Sequence, residues 1–213
     1  MLCGPTGGLP VRLSDAGRND ISNLRKRADM TSDNEITEKT WRSTRLSIEI
    51  EDDFDAAVAK YEEAVPTYPA KRFADLAADH APWETIVDIT KQLTPHAFLI
   101  YWKSPADLIM GLAGHTSRSA AYLMGNHVKA EMMYPYDPTS LLYVPMRTLL
   151  TQLDGKHPQF TFDRPSRQLD SLDNPAISAT GREIDRQLVL LLEHLNWTVP
   201  NCLLADESSL IQE

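Results

Sequence analysis

Apolar residues recur at two spacings along the chain, and these spacings predict both strands and helices. Between Arg45 and Glu51 apolar and polar residues alternate, which is the period of a half-buried strand. From Phe54 to Val65 the apolar residues lie three or four positions apart, as on one face of a helix. Prolines interrupt the pattern, and two more helices are expected before Thr94.

The middle of the chain predicts two further strands and a helix. Residues 97–102 are a short apolar run typical of a buried strand, and residues 119–124 predict another strand. The apolar segment 107–113 between them fits either a helix or a strand. Gly125-Asn126 ends the second of these strands, and a helix is expected over 128–134.

The last third of the chain contains the clearest signals. Asp154-Gly155 is typical of a hairpin turn, and it predicts that 146–153 pairs with 158–163. Asn174 and Pro175 are favoured residues for the start of a helix, and a long amphipathic helix is expected after them. We therefore predict an α+β fold, with a small mixed or antiparallel sheet covered by helices.

The two ends of the chain lack this periodicity. Residues 1–43 mix glycine, proline, polar and charged residues, and we predict a disordered or loosely attached extension. One α+β domain is expected over 44–198, and a polar tail over 199–213. The extension has a formal charge of +1, so the chain's −9 becomes −10 for the remaining residues.

Composition and charge narrow the classes of function. A strongly acidic domain argues against nucleic acid as a partner, because binding to phosphates requires lysine and arginine. The longest apolar run, 97–102, is too short to span a membrane, so no membrane association is expected. Cys3 and Cys202 lie near opposite ends, which makes a disulfide framework unexpected. A reducing, cytoplasmic location fits these features.

Several short motifs occur in an order that resembles a known family, the domain of unknown function 302 family. The resemblance extends over about 118–166, and the layout of 45–197 is similar to that of the family. It rests on the segments 120–133, Asp137-Pro138, 142–150 and 160–165. It implies a small α+β fold, often dimeric and without an agreed activity.

Two features depart from the family pattern. His127 stands where the family usually has proline, and the helical stretch between Pro66 and Thr94 is unusually long. The resemblance therefore predicts the fold better than the chemistry, and function must be argued from the residues of the site.

The segment from Gly125 to Glu131 is the first candidate site. Gly125 and Asn126 end a predicted strand and open a helix, an arrangement that presents backbone N–H groups to an anion. His127 and Glu131 are four residues apart on one helix face and could act as an acid–base pair. In the alternative interpretation Asn126 only caps the helix and Glu131 is solvated.

Other residues add to this candidate site. Arg147 lies inside a predicted strand, where it either binds an anion or points outward into solvent. His115 follows a glycine in a turn and either reaches the same strand ends or faces solvent. Aromatic and thioether side chains around the motif could line a pocket or a dimer interface, or only pack in the core. The candidates among them are Tyr101, Tyr122, Met124 and Tyr143.

Two functional hypotheses follow. The first is a homodimeric small-molecule-binding or accessory protein, with a pocket near Gly125–His127 for an apolar or anionic molecule. The second is an acid–base enzyme of the isomerase, cyclase or lyase type, in which His127, Glu131 and Arg147 act without a cofactor. A purely structural dimer is a third possibility. No histidine pair has metal-ligand spacing, and no haem or nucleotide motif is present, so neither metal nor cofactor is expected.

Overall fold

A computed structural model describes residues 36–204, and a compact unit begins at Trp41. Its centre is a five-stranded antiparallel sheet, with strand order β1-β5-β4-β3-β2. The strands are β1 (Arg45–Glu49), β2 (Leu99–Ser104), β3 (Arg118–Gly125), β4 (Met146–Gln152) and β5 (Gln159–Asp163). The predicted hairpin is confirmed, because β4 and β5 pair with Leu149 opposite Thr161.

Helices complete the α+β fold and confirm the predicted fold class. They are α1 (Phe54–Ala64), α2 (Ala70–Ala78), α3 (Trp83–Leu93), α4 (Ala106–Leu112), α5 (His127–Glu131), α6 (Pro165–Leu169), α7 (Pro175–His194) and α8 (Asn201–Leu204). Two 3₁₀ segments, Pro138–Leu142 and Asp170–Leu172, lie between them. The ambiguous segment 107–113 is therefore mostly helical. Burial of apolar area is the main force that holds these elements together.

One face of the sheet carries the core. Along β4, Met146, Thr148 and Leu150 are buried, whereas Arg147 is exposed and Leu149 is half-buried. This is the alternation of a sheet with one covered face. The covered face packs against α1 and α7, and Tyr61 of α1 lies in edge contact with Tyr122 at 5.0 Å. We call the other side the open face.

Local signals explain the ends of the helices. The side chain of Asp53 accepts a hydrogen bond from the N–H of Ala56 at the start of α1. Asn174 does the same at the start of α7, where it accepts from the N–H groups of Ala176 and Ile177. Side-chain caps of this kind satisfy donors that would otherwise have no partner within the helix. The predicted start of the long helix, α7, is confirmed.

A buried ion pair joins the end of β5 to α7. Arg164 Nε donates to Asp185 at 2.6 Å, and both side chains are almost completely buried. The hydroxyl and backbone N–H of Ser166 also donate to Asp185. A Cβ on Gly181 would lie 2.9 Å from the Cα of Ser166, so the glycine permits this close approach of α6 to α7. These bonds supply the partners that a buried carboxylate needs.

The two ends of the chain lie partly outside the described residues. At the C-terminal end, residues 201–204 of the predicted polar tail form α8, whose Leu203 belongs to the core, and residues 205–213 lie outside the described part. The predicted extension over 1–43 lies mostly outside the described residues. Described residues 36–40 contain neither helix nor strand and are exposed.

The first residues of the long helical stretch lie beside the edge strand β2. Ile100 N–H donates to the carbonyl of Pro66 at 2.9 Å, and Tyr68 N–H donates to the carbonyl of Ile100 at 2.8 Å. The chain therefore pairs with β2 before it enters α2. Pairing of this kind protects part of an edge strand from other chains.

Candidate functional site

His127 begins α5, and its ring connects the sheet to the preceding helices. Nδ1 lies 2.8 Å from the Tyr101 hydroxyl oxygen, and Nε2 lies 2.6 Å from the Thr90 hydroxyl oxygen. The Thr90 hydroxyl donates to the carbonyl of Ile86 at 2.6 Å, so it accepts a hydrogen bond from Nε2–H. This network assigns the neutral tautomer in which the Tyr101 hydroxyl donates to Nδ1.

Aromatic rings surround the imidazole of His127. The ring of Phe73 meets it edge-on at 4.6 Å, and the ring of Tyr68 does so at 5.9 Å. Tyr68 also stacks between Phe73 and Tyr101, at 5.1 and 4.5 Å. Burial lowers the pKa of His127 and raises that of Tyr101, which keeps both groups neutral near pH 7. We call His127, Thr90, Tyr101, Tyr68 and Phe73 the histidine cluster.

The backbone N–H groups at the start of α5 also have partners. The N–H of His127 donates to the Tyr101 hydroxyl at 3.0 Å, and the N–H of Val128 donates to the Asn126 side chain at 2.9 Å. The other end of the Asn126 amide donates to the carbonyl of Ala97 at 2.8 Å. These backbone N–H groups, which the sequence predicted to bind an anion, therefore donate to side chains of the protein instead. Asn126 acts as a helix cap.

The glycine of this motif has a packing role. A Cβ on Gly125 would lie 2.9 Å from the Cα of Pro145, so only glycine permits this approach. The cavity lined by Gly125 and Asn126 has a volume of about 10 Å³, which is room for about one water molecule. A second cavity of about 170 Å³ is lined by Tyr101, His127 and Pro145, among others.

The structure does not bring the three predicted acid–base residues together. Both ring nitrogens of His127 are used by Thr90 and Tyr101, and Glu131 is exposed on α5. Arg147 lies on the open face of the sheet, because its neighbours Met146 and Thr148 are the buried residues of β4. Adjacent residues of a strand point to opposite faces, and this separates Arg147 from the buried end of the motif.

The remaining predicted residues are dispersed. His115 is exposed in the turn before β3. The Tyr143 hydroxyl lies 3.1 Å from that of Ser171 and ties the two 3₁₀ segments together. Tyr122 is buried and donates to Glu62 at 2.8 Å. Met124 is buried too, and its sulfur accepts a hydrogen bond from the Tyr61 hydroxyl at 3.0 Å. These residues therefore hold the fold together.

The open face carries a second candidate site. Residues directly opposite each other on antiparallel strands share a face. Trp102 lies opposite Leu123, and Leu123 lies opposite Arg147, which gives one row across β2, β3 and β4. A neighbouring row contains Ala121 opposite Leu149, and continues to Thr161. Trp102 is 51% exposed, although it is a large apolar side chain.

The far side of the open face is polar. Arg45 binds Asp163 through two hydrogen bonds of 2.9 and 3.0 Å, and Ser47 lies 3.0 Å from Thr161, hydroxyl to hydroxyl. The face is therefore apolar over β2, β3 and the middle of β4 and polar over β5 and β1. Arg147 stands at the border, and within residues 36–204 its guanidinium has no hydrogen-bond or salt-bridge partner.

A groove of about 670 Å³ runs across this face. Its lining includes Trp102, Leu123, Arg147 and Leu149, and it reaches the Arg45–Asp163 pair. The volume is in the range of pockets that hold small molecules, which is about 300–1,000 Å³. We call it the open-face groove.

Sequence reasoning selected Arg147, but it missed Leu123 and Leu149. The signal was available in the segment 120–124, where both alternating sets of residues are apolar. A strand of an antiparallel sheet with apolar residues on both sides indicates a second surface to be covered. It also missed the histidine cluster, because Tyr68, Phe73 and Thr90 are far from His127 in sequence.

The described chain has an exposed apolar helix but neither a membrane-spanning helix nor a metal-binding cluster. Helix α4 has no buried residue and exposes Leu108, Ile109 and Leu112. Between Ile36 and Leu204, no helix combines the length and apolarity needed to cross a bilayer. Over the same residues, no three His, Cys, Asp or Glu side chains are grouped so that they could hold a metal ion.

Comparison with known proteins identifies the fold. No protein-family model and no curated protein matches the sequence. Among solved structures, the chain is similar to the crystal structure of an uncharacterized conserved DUF302 protein from Bacillus stearothermophilus, with a TM-score of 0.51. The sequences are 11% identical, and the match covers 71% of this chain and 97% of that one. The resemblance to the domain of unknown function 302 family is thus confirmed at the level of the fold.

The two departures from the family pattern belong to one feature. His127 replaces the usual proline, and its ring contacts Thr90, Tyr68 and Phe73, all of which lie in the long helical stretch. A proline at 127 would remove both the ring nitrogens and the N–H that donates to Tyr101. The histidine cluster therefore attaches this stretch to the sheet in addition to the backbone hydrogen bonds between Pro66, Tyr68 and Ile100.

Proposed function

We propose that this protein binds a small, largely apolar molecule in the open-face groove. The observation that carries the proposal is the apolar zone of Trp102, Ala121, Leu123 and Leu149 on a sheet face where none of these side chains is buried. Such a surface gains free energy when a ligand removes it from water, at roughly 25 cal/mol per Å². Binding sites of this kind are concave and mainly apolar, with a few polar groups that orient the ligand.

The size of the face favours a small molecule over a second copy of the chain. Five strands about 4.8 Å apart, each of about five residues, give a projected face of roughly 400 Å². A stable protein interface buries about 800 Å² of solvent-accessible surface on each partner. The groove volume of about 670 Å³ matches a ligand of drug-like size. Homodimerisation, predicted from the sequence, requires additional surface.

A neutral fluorescent dye tests the proposal without involving charge. We expect N-phenyl-1-naphthylamine to bind the full chain saturably, with increased fluorescence. The variant Leu149→Asn should weaken binding about five-fold, because half-burial of one leucine is worth about 1 kcal/mol. Leu190→Asn is the matched control, since Leu190 is 62% exposed on α7, away from the groove.

Two results would contradict the proposal. The first is an unchanged dye affinity in Leu149→Asn, with far-UV circular dichroism and melting temperature preserved. The second is a stable dimer, measured by light scattering, that Leu149→Asn dissociates. That result would assign the open face to a second copy of the chain.

A further inference from the structure

We infer that the ligand of the open-face groove is an amphipathic anion, whose charged group is bound by Arg147 and whose apolar part lies over Leu123 and Leu149. This inference rests on the proposed function and names the class of ligand. It depends on the charge of the groove, whereas the proposal above depends only on its apolar surface.

Arg147 is the available charge of this groove. The other two charged residues of its lining, Arg45 and Asp163, bind each other in a fork, with Nε and Nη2 on the two carboxylate oxygens. Their charges cancel locally, and both oxygens of Asp163 are engaged. Within the described chain the Arg147 guanidinium has neither hydrogen-bond nor ion-pair partner, so the groove has a net charge of one positive unit.

The guanidinium is suited to one kind of head group. It presents N–H donors in a planar fork that matches carboxylate, sulfonate or phosphate oxygens. A neutral or cationic head group would leave those donors unused. The acidic surface elsewhere on the chain, with its formal charge of −9, repels anions and makes Arg147 a local exception to the field.

The distribution of apolar side chains sets where the rest of the ligand lies. Trp102, Leu123 and Arg147 lie in one row on three adjacent strands, so about 10 Å separates the first from the last. Ala121 and Leu149 widen this zone by a second row. A molecule with its anion at Arg147 and an apolar tail of that length covers the row from β4 to β2.

A competition experiment with chains of equal length tests the inference. Decanoate, decanol and decylamine are titrated into the full chain with N-phenyl-1-naphthylamine bound, below the concentrations at which they form micelles. We expect decanoate to displace the dye with an apparent Kd roughly five- to ten-fold lower than decanol, and decylamine to be weakest. High salt should reduce the advantage of decanoate, because the pair with Arg147 is exposed.

Variants assign this advantage to Arg147. In Arg147→Gln, decanoate and decanol should displace the dye with equal apparent Kd values, each corrected for the dye affinity measured on that variant. Arg147→Lys should retain part of the preference, because it keeps the charge and loses the fork. Arg72→Gln makes the same change of charge on exposed α2 and should leave the preference intact.

The outcomes separate the two proposals. If decanol and decanoate compete equally in the unaltered protein, the anion inference is wrong and the apolar groove stands. If Arg147→Gln retains the preference for decanoate, the anion binds elsewhere and the inference is also overturned. If neither the dye nor any of the three chains binds, the proposed function fails together with the inference.

Discussion

The histidine cluster and the open-face groove differ in how fully their polar groups are paired. Around His127 both ring nitrogens, the backbone N–H and the hydroxyls of Thr90 and Tyr101 have hydrogen-bond partners within the protein. On the open face, Arg147 has no partner among the described residues, and Trp102 is half exposed.

Residue types alone therefore did not distinguish the two regions. The histidine beside a glycine and an asparagine fits a catalytic site, yet here its hydrogen bonds join the long helical stretch to the sheet. The sequence left Arg147 open between an anion site and solvent, and in the structure it is the unpaired charge on an apolar face among the described residues. Buried polar groups that are fully satisfied hold elements together, whereas unpaired ones beside apolar surface are free to meet a ligand.

Between the histidine cluster and the open face, removal of the imidazole should have the largest effect on stability. His127→Ala leaves the Tyr101 and Thr90 hydroxyls without their partner and opens a gap beside Phe73, so we expect unfolding free energy to fall by about 2–3 kcal/mol. Urea denaturation measures this loss, and the melting temperature should fall by about 5–10 °C. Binding of the neutral dye should be unchanged below the transition.

The control for this variant is His115→Ala. His115 is exposed in a turn, and its removal should change stability by less than about 0.5 kcal/mol. Equal stabilities of the two variants would show that His127 does not stabilise the connection between the helical stretch and the sheet.

The Tyr101 hydroxyl should contribute a smaller part of the stability that the histidine cluster provides. Tyr101→Phe keeps the ring that stacks on Tyr68 but removes the partner of His127 Nδ1 and of its N–H. We expect a loss of about 1–2 kcal/mol. A double-mutant cycle with His127→Ala should give a coupling energy of at least about 0.5 kcal/mol, and strict additivity would contradict the network.

The pH dependence of stability should reveal the buried, neutral state of His127. Burial lowers the pKa of His127, so the unfolded chain binds a proton more readily than the folded one. The stabilising contribution of neutral His127 is complete above its pKa in the unfolded chain, about 6.5. It is lost as the pH falls through its lower pKa in the folded chain.

His96 changes stability in the same direction. Burial, and then the nearby His194, lower the pKa of His96. The test is therefore the difference between the unaltered chain and His127→Gln, each unfolded in urea at several pH values. The variant should lose stability less steeply below pH 6.5. Parallel curves would mean that His127 is not a buried neutral group.

The smallest effect on stability is expected on the open face. Arg147→Gln removes an exposed charge that has no described partner, so the free energy of unfolding should change by less than about 0.5 kcal/mol. Chemical denaturation checks this, with Arg164→Gln as the contrasting variant. Loss of Arg164 leaves Asp185 buried without its cation and should cost about 3–5 kcal/mol.

Local patterns predicted much of the fold. The hairpin at Asp154-Gly155 and the start of the long helix at Asn174 were correct because turn and cap chemistry act within a few residues. The α+β class followed from those elements. The short helix at 201–204 was missed because it is only one turn long and shows no helical period of apolar residues.

The candidate site was harder to predict because it depends on contacts across the sheet. Sequence distance concealed that Thr90 and Tyr68 surround His127, so its ring nitrogens could not be known to be engaged. The sequence alone did not decide whether Arg147 binds an anion or points outward into solvent. Only the register with β3 and the burial of Met146 and Thr148 decide that it points outward.

The most direct test of this account is a map of where a ligand acts on the chain. Decanoate is titrated into the ¹⁵N-labelled full chain, and amide chemical shifts are followed residue by residue. We expect the largest changes at Leu123, Arg147 and Leu149, and none at His127 or Val128. Changes centred on His127 and Val128, with the open face unaffected, would contradict this expectation.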